Sequence, residues 1–283
     1  MATFPQTVVG GVSLSRLICG TNWFLGYSHT SGAKDRLIRE IFDTPAKMAK
    51  VIEVFAKRGI NCVMGPLKTE LAQAIQEASQ RAGIKIHYIC TPDFSGNQSG
   101  NQDPANWPKT VEKSKAAGAT FCFPHQCVTD CRIDRLNRRL APDLLNALKI
   151  VREHGLIPGL STHAPEAIVS ADACNAECDT YVQPYNAAGF LCQVETDWIQ
   201  KVIHQAKKPV MTIKPLAAGR ILPPTGFSFV WSTIRKCDLV TIGTMSTYEA
   251  EEAVELSLAC IEGRSAKVEL QTTRSKKALQ VSK

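Results

Sequence analysis

One phrase recurs along this chain and constrains its fold more than any other feature. A polar-faced helical stretch ends in basic or small residues, a glycine follows, and then an apolar strand. It reads Lys57-Arg58-Gly59-Ile60, Arg81-Ala82-Gly83-Ile84, Ala116-Ala117-Gly118-Ala119 and Glu153-His154-Gly155-Leu156. Glycine just past a helix takes the left-handed conformation that closes it. The near-continuous apolar run after it is the pattern of a parallel strand covered on both faces. Reading on in this way predicts eight strands: Leu14–Gly20, Asn61–Gly65, Ile84–Thr91, Thr120–Pro124, Ile157–Ser161, Thr180–Gln183, Val210–Lys214 and Leu239–Gly243. Helical patterns separate them, the first opening at Thr44-Pro45, a capping threonine with proline at the first helical position. This alternation predicts a single (β/α)8 barrel over residues 1–263, with 264–283 a basic extension packed on it or trailing from it. A doubly wound open sheet is the alternative, but no G-x-G-x-x-G follows any strand.

Composition agrees. The 283 residues suit one barrel, and 44% hydrophobic with 21% charged residues exclude a disordered chain. No apolar run reaches the length of a membrane span, and Met1–Leu14 lacks a basic n-region followed by an apolar stretch. A cytoplasmic protein is expected, with a small-molecule substrate as its partner; its oligomeric state is not legible. The formal net charge of +7 is dispersed, partly over Arg264, Lys267, Arg274, Lys276, Lys277 and Lys283. Without interleaved stacking aromatics it reads as a solvated surface and not as a nucleic-acid face. Of the eleven cysteines, Cys19, Cys62, Cys90 and Cys122 fall inside strand patterns as small buried hydrophobes. Cys127/Cys131 and Cys174/Cys178 are spaced C-x3-C, where zinc sites more often show C-x2-C, so free thiols are expected.

Three long loops leave the carboxyl ends of strands: Thr21–Asp43, Pro92–Pro108 and Gln126–Ala141. Barrels build their active sites from such loops. The Gly-, Asn-, Gln- and Ser-rich stretch Phe94–Asn106 reads as a lid or only as a mobile loop. Among strand-terminal residues, His125 and His163 stand on neighbouring strands and are candidate proton donors. With Asp93 they are also a candidate metal set, and each can instead simply bond a loop backbone. Lys214 ends an apolar strand, where a desolvated amine serves as base, Schiff-base nucleophile or anion partner. The loop Lys214–Arg220 and the turn Gly243–Ser246 follow strands seven and eight, where barrels often hold a phosphate on backbone N–H groups; Arg220 supplies charge. His29, His87, His154 and His204 read as structural.

These residues together resemble the aldo/keto reductase superfamily over most of the chain, most strongly over residues 155–257. Gly159-Leu160-Ser161-Thr162-His163 and Gln183-Pro184-Tyr185-Asn186 look like that family's strand-five and strand-six signatures. Lys214-Pro215-Leu216-Ala217-Ala218-Gly219, then Gly243-Thr244-Met245-Ser246 and Glu249 to Glu252, look like its cofactor-phosphate region. Weaker echoes are Leu14-Ser15-Arg16-Leu17 with Gly20-Thr21, and Gly59-Ile60-Asn61. The resemblance implies NADP, with Ser161, Thr162 and Gln183 holding the nicotinamide and Leu216, Gly219, Arg220, Thr244, Met245 and Ser246 the phosphate end. Of the family's catalytic Asp, Tyr, Lys and His, only the histidine is matched, by His125. Met64 stands where the Asp belongs, the segment with the Tyr is shortened to Gly65–Glu70, and strand three ends Cys90-Thr91-Pro92 without a lysine.

Three functions compete at this point. The first is an aldo/keto reductase-like enzyme acting on a small carbonyl or polyol compound, with His125, His163 and Lys214 as its catalytic residues. The second is a divalent-metal-assisted isomerase or lyase using His125, His163 and Asp93. The third is a non-catalytic ligand-binding barrel with an apolar mouth.

Overall fold

The computed structural model of the chain describes residues 4–94 and 103–279. Eight parallel strands form the predicted barrel: Leu17–Gly20, Cys62–Gly65, His87–Cys90, Ala119–Cys122, a fifth in two halves (Ile157–Pro158 and Leu160–Ser161), Tyr181–Pro184, Val210–Ile213 and Leu239–Ile242. The first and eighth strands pair, with Val240 opposite Leu17. The barrel closes through the fifth strand itself: its first half pairs with the fourth strand and its second with the sixth. The break falls at Gly159, where an added Cβ would lie 2.5 Å from the Phe123 ring. Only glycine lets the backbone pass that ring.

The helix–glycine–strand phrase is what it was read to be. Gly59, Gly83, Gly118 and Gly155 have φ of 81°, 67°, 82° and 76°. Each strand alternates between two cores. Ile18, Cys62, Met64, Ile89, Phe121, Val182, Met211 and Leu239 fill the barrel interior. Residues of the other parity, such as Val63 and Val240, pack against surrounding helices through Phe55, Leu71, Leu144 and Val254. Fully burying one such side chain contributes about 1.5–3 kcal/mol, so the two layers hold the architecture.

Several boundaries differ from the sequence reading. Leu14 and Ser15 do not begin the first barrel strand. They end Val12–Ser15, which pairs antiparallel with Gln6–Val9 across the two-residue turn Gly10-Gly11. Both glycines have positive φ (55° and 81°), the requirement of a tight hairpin turn. Val9 and Leu14 join the interior cluster from this hairpin. The third strand begins at His87 and not at Ile84. Thr44 is the first cap of helix Pro45–Lys57, but its side chain makes no capping bond; Pro45 alone supplies the expected signal. The loop after the first strand contains helix Gly32–Ile41, capped by the Ser31 hydroxyl accepting from the Lys34 N–H at 3.2 Å. The loop after the fourth carries helix Gln126–Thr129 and a small two-stranded ribbon. Most of the candidate lid, residues 95–102 of Phe94–Asn106, lies outside the described residues.

All eleven cysteines are free thiols. Among the described residues, no helix is long and apolar enough to cross a membrane. The basic C-terminal stretch starts tethered, with the Arg264 guanidinium on Glu255 at 2.6 Å and Ala266 and Val268 packed against the core.

Candidate active site

At the carboxyl ends of the strands lies a cavity of about 1500 Å³. Met64, Val182, Ile213 and Thr241, from the inward parity of four strands, are among its lining residues. His125, His163 and Lys214 all line it.

His125 caps the short helix Gln126–Thr129. Its Nδ1 accepts the Cys127 backbone N–H at 3.4 Å and meets the Cys127 thiol at 3.1 Å. With Nδ1 so engaged, the neutral ring carries its proton on Nε2. Burial holds its pKa below the ordinary histidine value; Asp93 opposes the shift and Lys214 adds to it. His163 is neutral for the same reason, with burial first and then the Lys214 charge pushing it down to about 3. Its backbone N–H donates to the Asp130 carboxylate at 3.1 Å, and its Nε2 lies 3.4 Å from Lys214 Nζ.

Lys214 is the least ordinary residue of the three. Burial brings its pKa down to about 8, opposed only by the Cys192 thiol, and no carboxylate among the described residues forms an ion pair with it. Its backbone is left-handed (φ 63°), as are Ala217 (50°) and Ala218 (57°) in the same turn. A non-glycine residue held there costs about 1–3 kcal/mol and persists only where its surroundings over-determine it. The turn is closed by the Ala217 N–H on the Lys214 carbonyl and the Gly219 N–H on the Leu216 carbonyl, both 2.9 Å.

The residues expected to hold a cofactor separate into two groups. Ser161, Leu216, Gly219, Thr244 and Met245 line the cavity. Thr162, Gln183, Arg220 and Ser246 are absent from its lining. Thr162 is fully buried, its hydroxyl donating to Asp130 and lying 3.0 Å from the Ala164 carbonyl. Gln183 shares the parity of Tyr181, which packs in the helix-facing core; its amide nitrogen donates to the carbonyls of Pro184 (3.3 Å) and His163 (3.4 Å). The expectation that His125, His163, Gln183 and Lys214 share one cavity therefore holds for three of the four. Arg220 bends back onto the carbonyls of Ala217 (3.1 Å) and His29 (3.3 Å), its guanidinium 4.2 Å from the Phe190 ring centroid. Ser246 caps helix Thr247–Glu262 by accepting the Glu249 N–H at 3.1 Å.

Some cavity residues were missed. His29 was read as structural, yet it lines the cavity, and Lys214 helps burial to lower its pKa. Cys127 also lines it, while Glu249 and Glu252, expected in the cofactor-phosphate region, line it as carboxylates. The i+2 spacing of His125 and Cys127 was visible in the sequence. By contrast, His87, His154 and His204 bond Thr120 and the carbonyls of Ile150 and Thr233, as structural histidines do.

The wall at strand eight tests the fit of NADP. Thr241 and Thr244 are among the lining residues, and their buried hydroxyls have no hydrogen-bond partner. A phosphate does not fit beside them, because the Met245 N–H that would receive it is held at 2.7 Å by the Glu249 carboxylate. Glu252 adds a second carboxylate to the lining, and Arg220 is turned onto its own loop. The residues present therefore do not fit the 2′-phosphate of NADP. Nor is a metal set assembled: among the described residues no group of three His, Cys, Asp or Glu side chains could hold an ion. The cation of Lys214 beside His163 further opposes one.

No family model and no curated protein matches the chain by sequence. Solved structures do match by fold. A Pseudomonas aeruginosa protein assigned as an aldo-keto reductase superposes with a TM-score of 0.63 at 16% identity, covering 90% of this chain and 95% of that one. The aldose reductase of Giardia lamblia superposes at 0.54 and 12% identity, covering 98% and 92%. At these identities the likeness is one of fold: the chain is an aldo-keto reductase-like (β/α)8 barrel.

Proposed function

We propose that this barrel is an enzyme acting on a small carbonyl or polyol compound, with Lys214 and His125 engaging the reacting oxygen. The observation that carries the reading is the half-buried Lys214 ammonium, which lines the cavity and lacks a carboxylate partner among the described residues. A carbonyl oxygen that gains negative charge during reaction is stabilised by donors already aimed at it in a water-poor site. Lys214 supplies a cation, and a pKa near 8 suits proton transfer at neutral pH. His125 supplies a neutral Nε2–H donor, its ring oriented by Cys127. His163, too weak a base at about 3 to take the lysine proton, positions Nζ. Met64 and Thr91 line the same cavity, so the carboxylate and lysine of the ordinary reductase set are replaced by groups unable to do their work.

The apolar mouth that a mere ligand-binding barrel was expected to show is not matched by a lining that carries histidines, lysines and carboxylates. The metal-assisted alternative has no ligand set to support it.

Calorimetry and turnover test the reading together. NADP(H) is expected to bind no more tightly than NAD(H), because the 2′-phosphate meets Glu249 and Glu252. Reduction of a panel of aldehydes with either cofactor is expected to be slow. His125→Ala and Lys214→Met are each expected to cut what turnover there is by roughly a hundredfold, the usual loss for one oriented catalytic group. Brisk aldehyde turnover untouched by both substitutions would remove the proposal.

A further inference from the structure

We propose that the substrate of this cavity carries an oxyanion, a carboxylate or a phosphate monoester. Its anionic end docks on the wall between the second and fourth barrel strands, against Lys68, Lys109 and Lys113. The placement of the carbonyl end at Lys214 rests on the reading above; the anion subsite rests on separate residues.

Lys68 immediately precedes helix Thr69–Ala82, which follows the second strand. Lys109 and Lys113 stand one turn apart on helix Trp107–Ala116, which leads into the fourth strand. All three line the cavity. Like charges at i and i+4 cost an isolated helix about 0.2–0.5 kcal/mol, and neighbouring carboxylates normally offset that. Lys47 and Lys57 illustrate this, each pairing with a carboxylate four residues before it. Among the described residues, Lys68, Lys109 and Lys113 form no ion pair. Residues 95–102, which separate the third strand from this helix in sequence, contain no ionisable side chain that could neutralise them. Asp93 and Asp103 share the wall, the latter accepting the Ala105 N–H at 3.0 Å, so the three lysines leave it net positive by one charge.

The opposite wall has the opposite sign. Glu249 and Glu252 line it, and the Met245 N–H already holds a carboxylate. The cavity thus carries a net positive charge towards strands two to four and carboxylates at strand eight. Low-dielectric walls focus such a field and orient a charged ligand before it binds. Lys214, half-buried and lacking a carboxylate partner among the described residues, adds a further cation to the lining of the same cavity.

Titration with inorganic phosphate and, separately, with malonate tests this at low ionic strength, by calorimetry on the full chain. The two arms tell a phosphate site from a carboxylate site, and saturable binding of either is expected. Lys109→Gln with Lys113→Gln, both exposed positions where the fold is expected to hold, should weaken that binding at least tenfold. Glu249→Gln with Glu252→Gln should leave it equal or tighter. Binding unchanged in the lysine pair, or lost only on Arg220→Gln or Lys214→Met, would overturn the proposal by moving the anion elsewhere. A null result with both anions would overturn it too. The carbonyl reading fails independently, through uncharged glycolaldehyde: if that compound neither binds nor reacts while phosphate binding still depends on Lys109 and Lys113, only the function above is lost.

Discussion

Lys214→Met is expected to give a protein that is more stable than the parent and far less active. The lysine is charged at neutral pH in a half-buried position where desolvation brings its pKa from 10.5 to about 8. Each unit of such a shift corresponds to about 1.4 kcal/mol, so the folded state carries a penalty on the order of 3 kcal/mol that methionine removes. The left-handed backbone at φ 63° is equally unfavourable for both side chains and cancels from the comparison. The sign of the pH dependence follows. Below pH about 8 the amine is protonated in the folded and the unfolded chain, and the full penalty applies. Between about 8 and 10.5 the unfolded chain holds a proton that the folded chain has released, so the parent gains stability as pH rises. The variant should lack that gain. Urea unfolding of both proteins across this range measures it. A less stable variant, or an unchanged pH slope, would mean that Lys214 has a counter-charge and that the cavity is not built around an unpaired cation.

Asp238→Ala is expected to destabilise the protein by about 3–5 kcal/mol, the usual cost of removing one partner from a buried ion pair. Asp238 is fully buried just before the eighth strand, at the opposite end of the barrel from the cavity. Its carboxylate accepts from the Arg235 guanidinium at 2.7 and 2.9 Å and from the backbone N–H groups of Arg235 and Val210, both at 2.8 Å. Arg16, ahead of the first strand, donates to the carbonyls of Asp238 and Arg235, each at 2.9 Å. The carboxylate therefore ties the start of strand seven to the turn before strand eight, and Arg16 joins strand one to that turn through its two carbonyls. Without it two backbone N–H groups lose their acceptor, and the Arg235 guanidinium keeps only the carbonyls of Ala206 and Lys208. The exposed pair Lys47–Asp43 is the control, since Asp43→Asn should cost less than about 1 kcal/mol. Urea unfolding again gives the comparison, and an Asp238→Ala loss no larger than the control would show that the network does not hold these strand ends together.

The sequence determined what depends on neighbours along the chain. Glycines 59, 83, 118 and 155 could be read as left-handed helix ends because that conformation is a property of the residue and its immediate turn. The apolar strands were legible because burial on both faces leaves a run that needs no knowledge of the partner strand. Even the unread hairpin was there to see in Val9-Gly10-Gly11-Val12. His125, His163 and Lys214 followed from the same strand ends. The remainder of the site was decided by contacts between distant segments. Thr162 belongs to Asp130, thirty-two residues before it, and so is turned from the cavity. Arg220 is drawn back to a carbonyl of His29, 191 residues away, and Glu249 takes the N–H that a phosphate would use. Lys214 itself contradicts its local rule. A residue before proline is pushed towards extended backbone, yet here it is left-handed. Only a packed barrel can hold it so, because the cost of that conformation is offset by contacts that exist nowhere but in the folded chain.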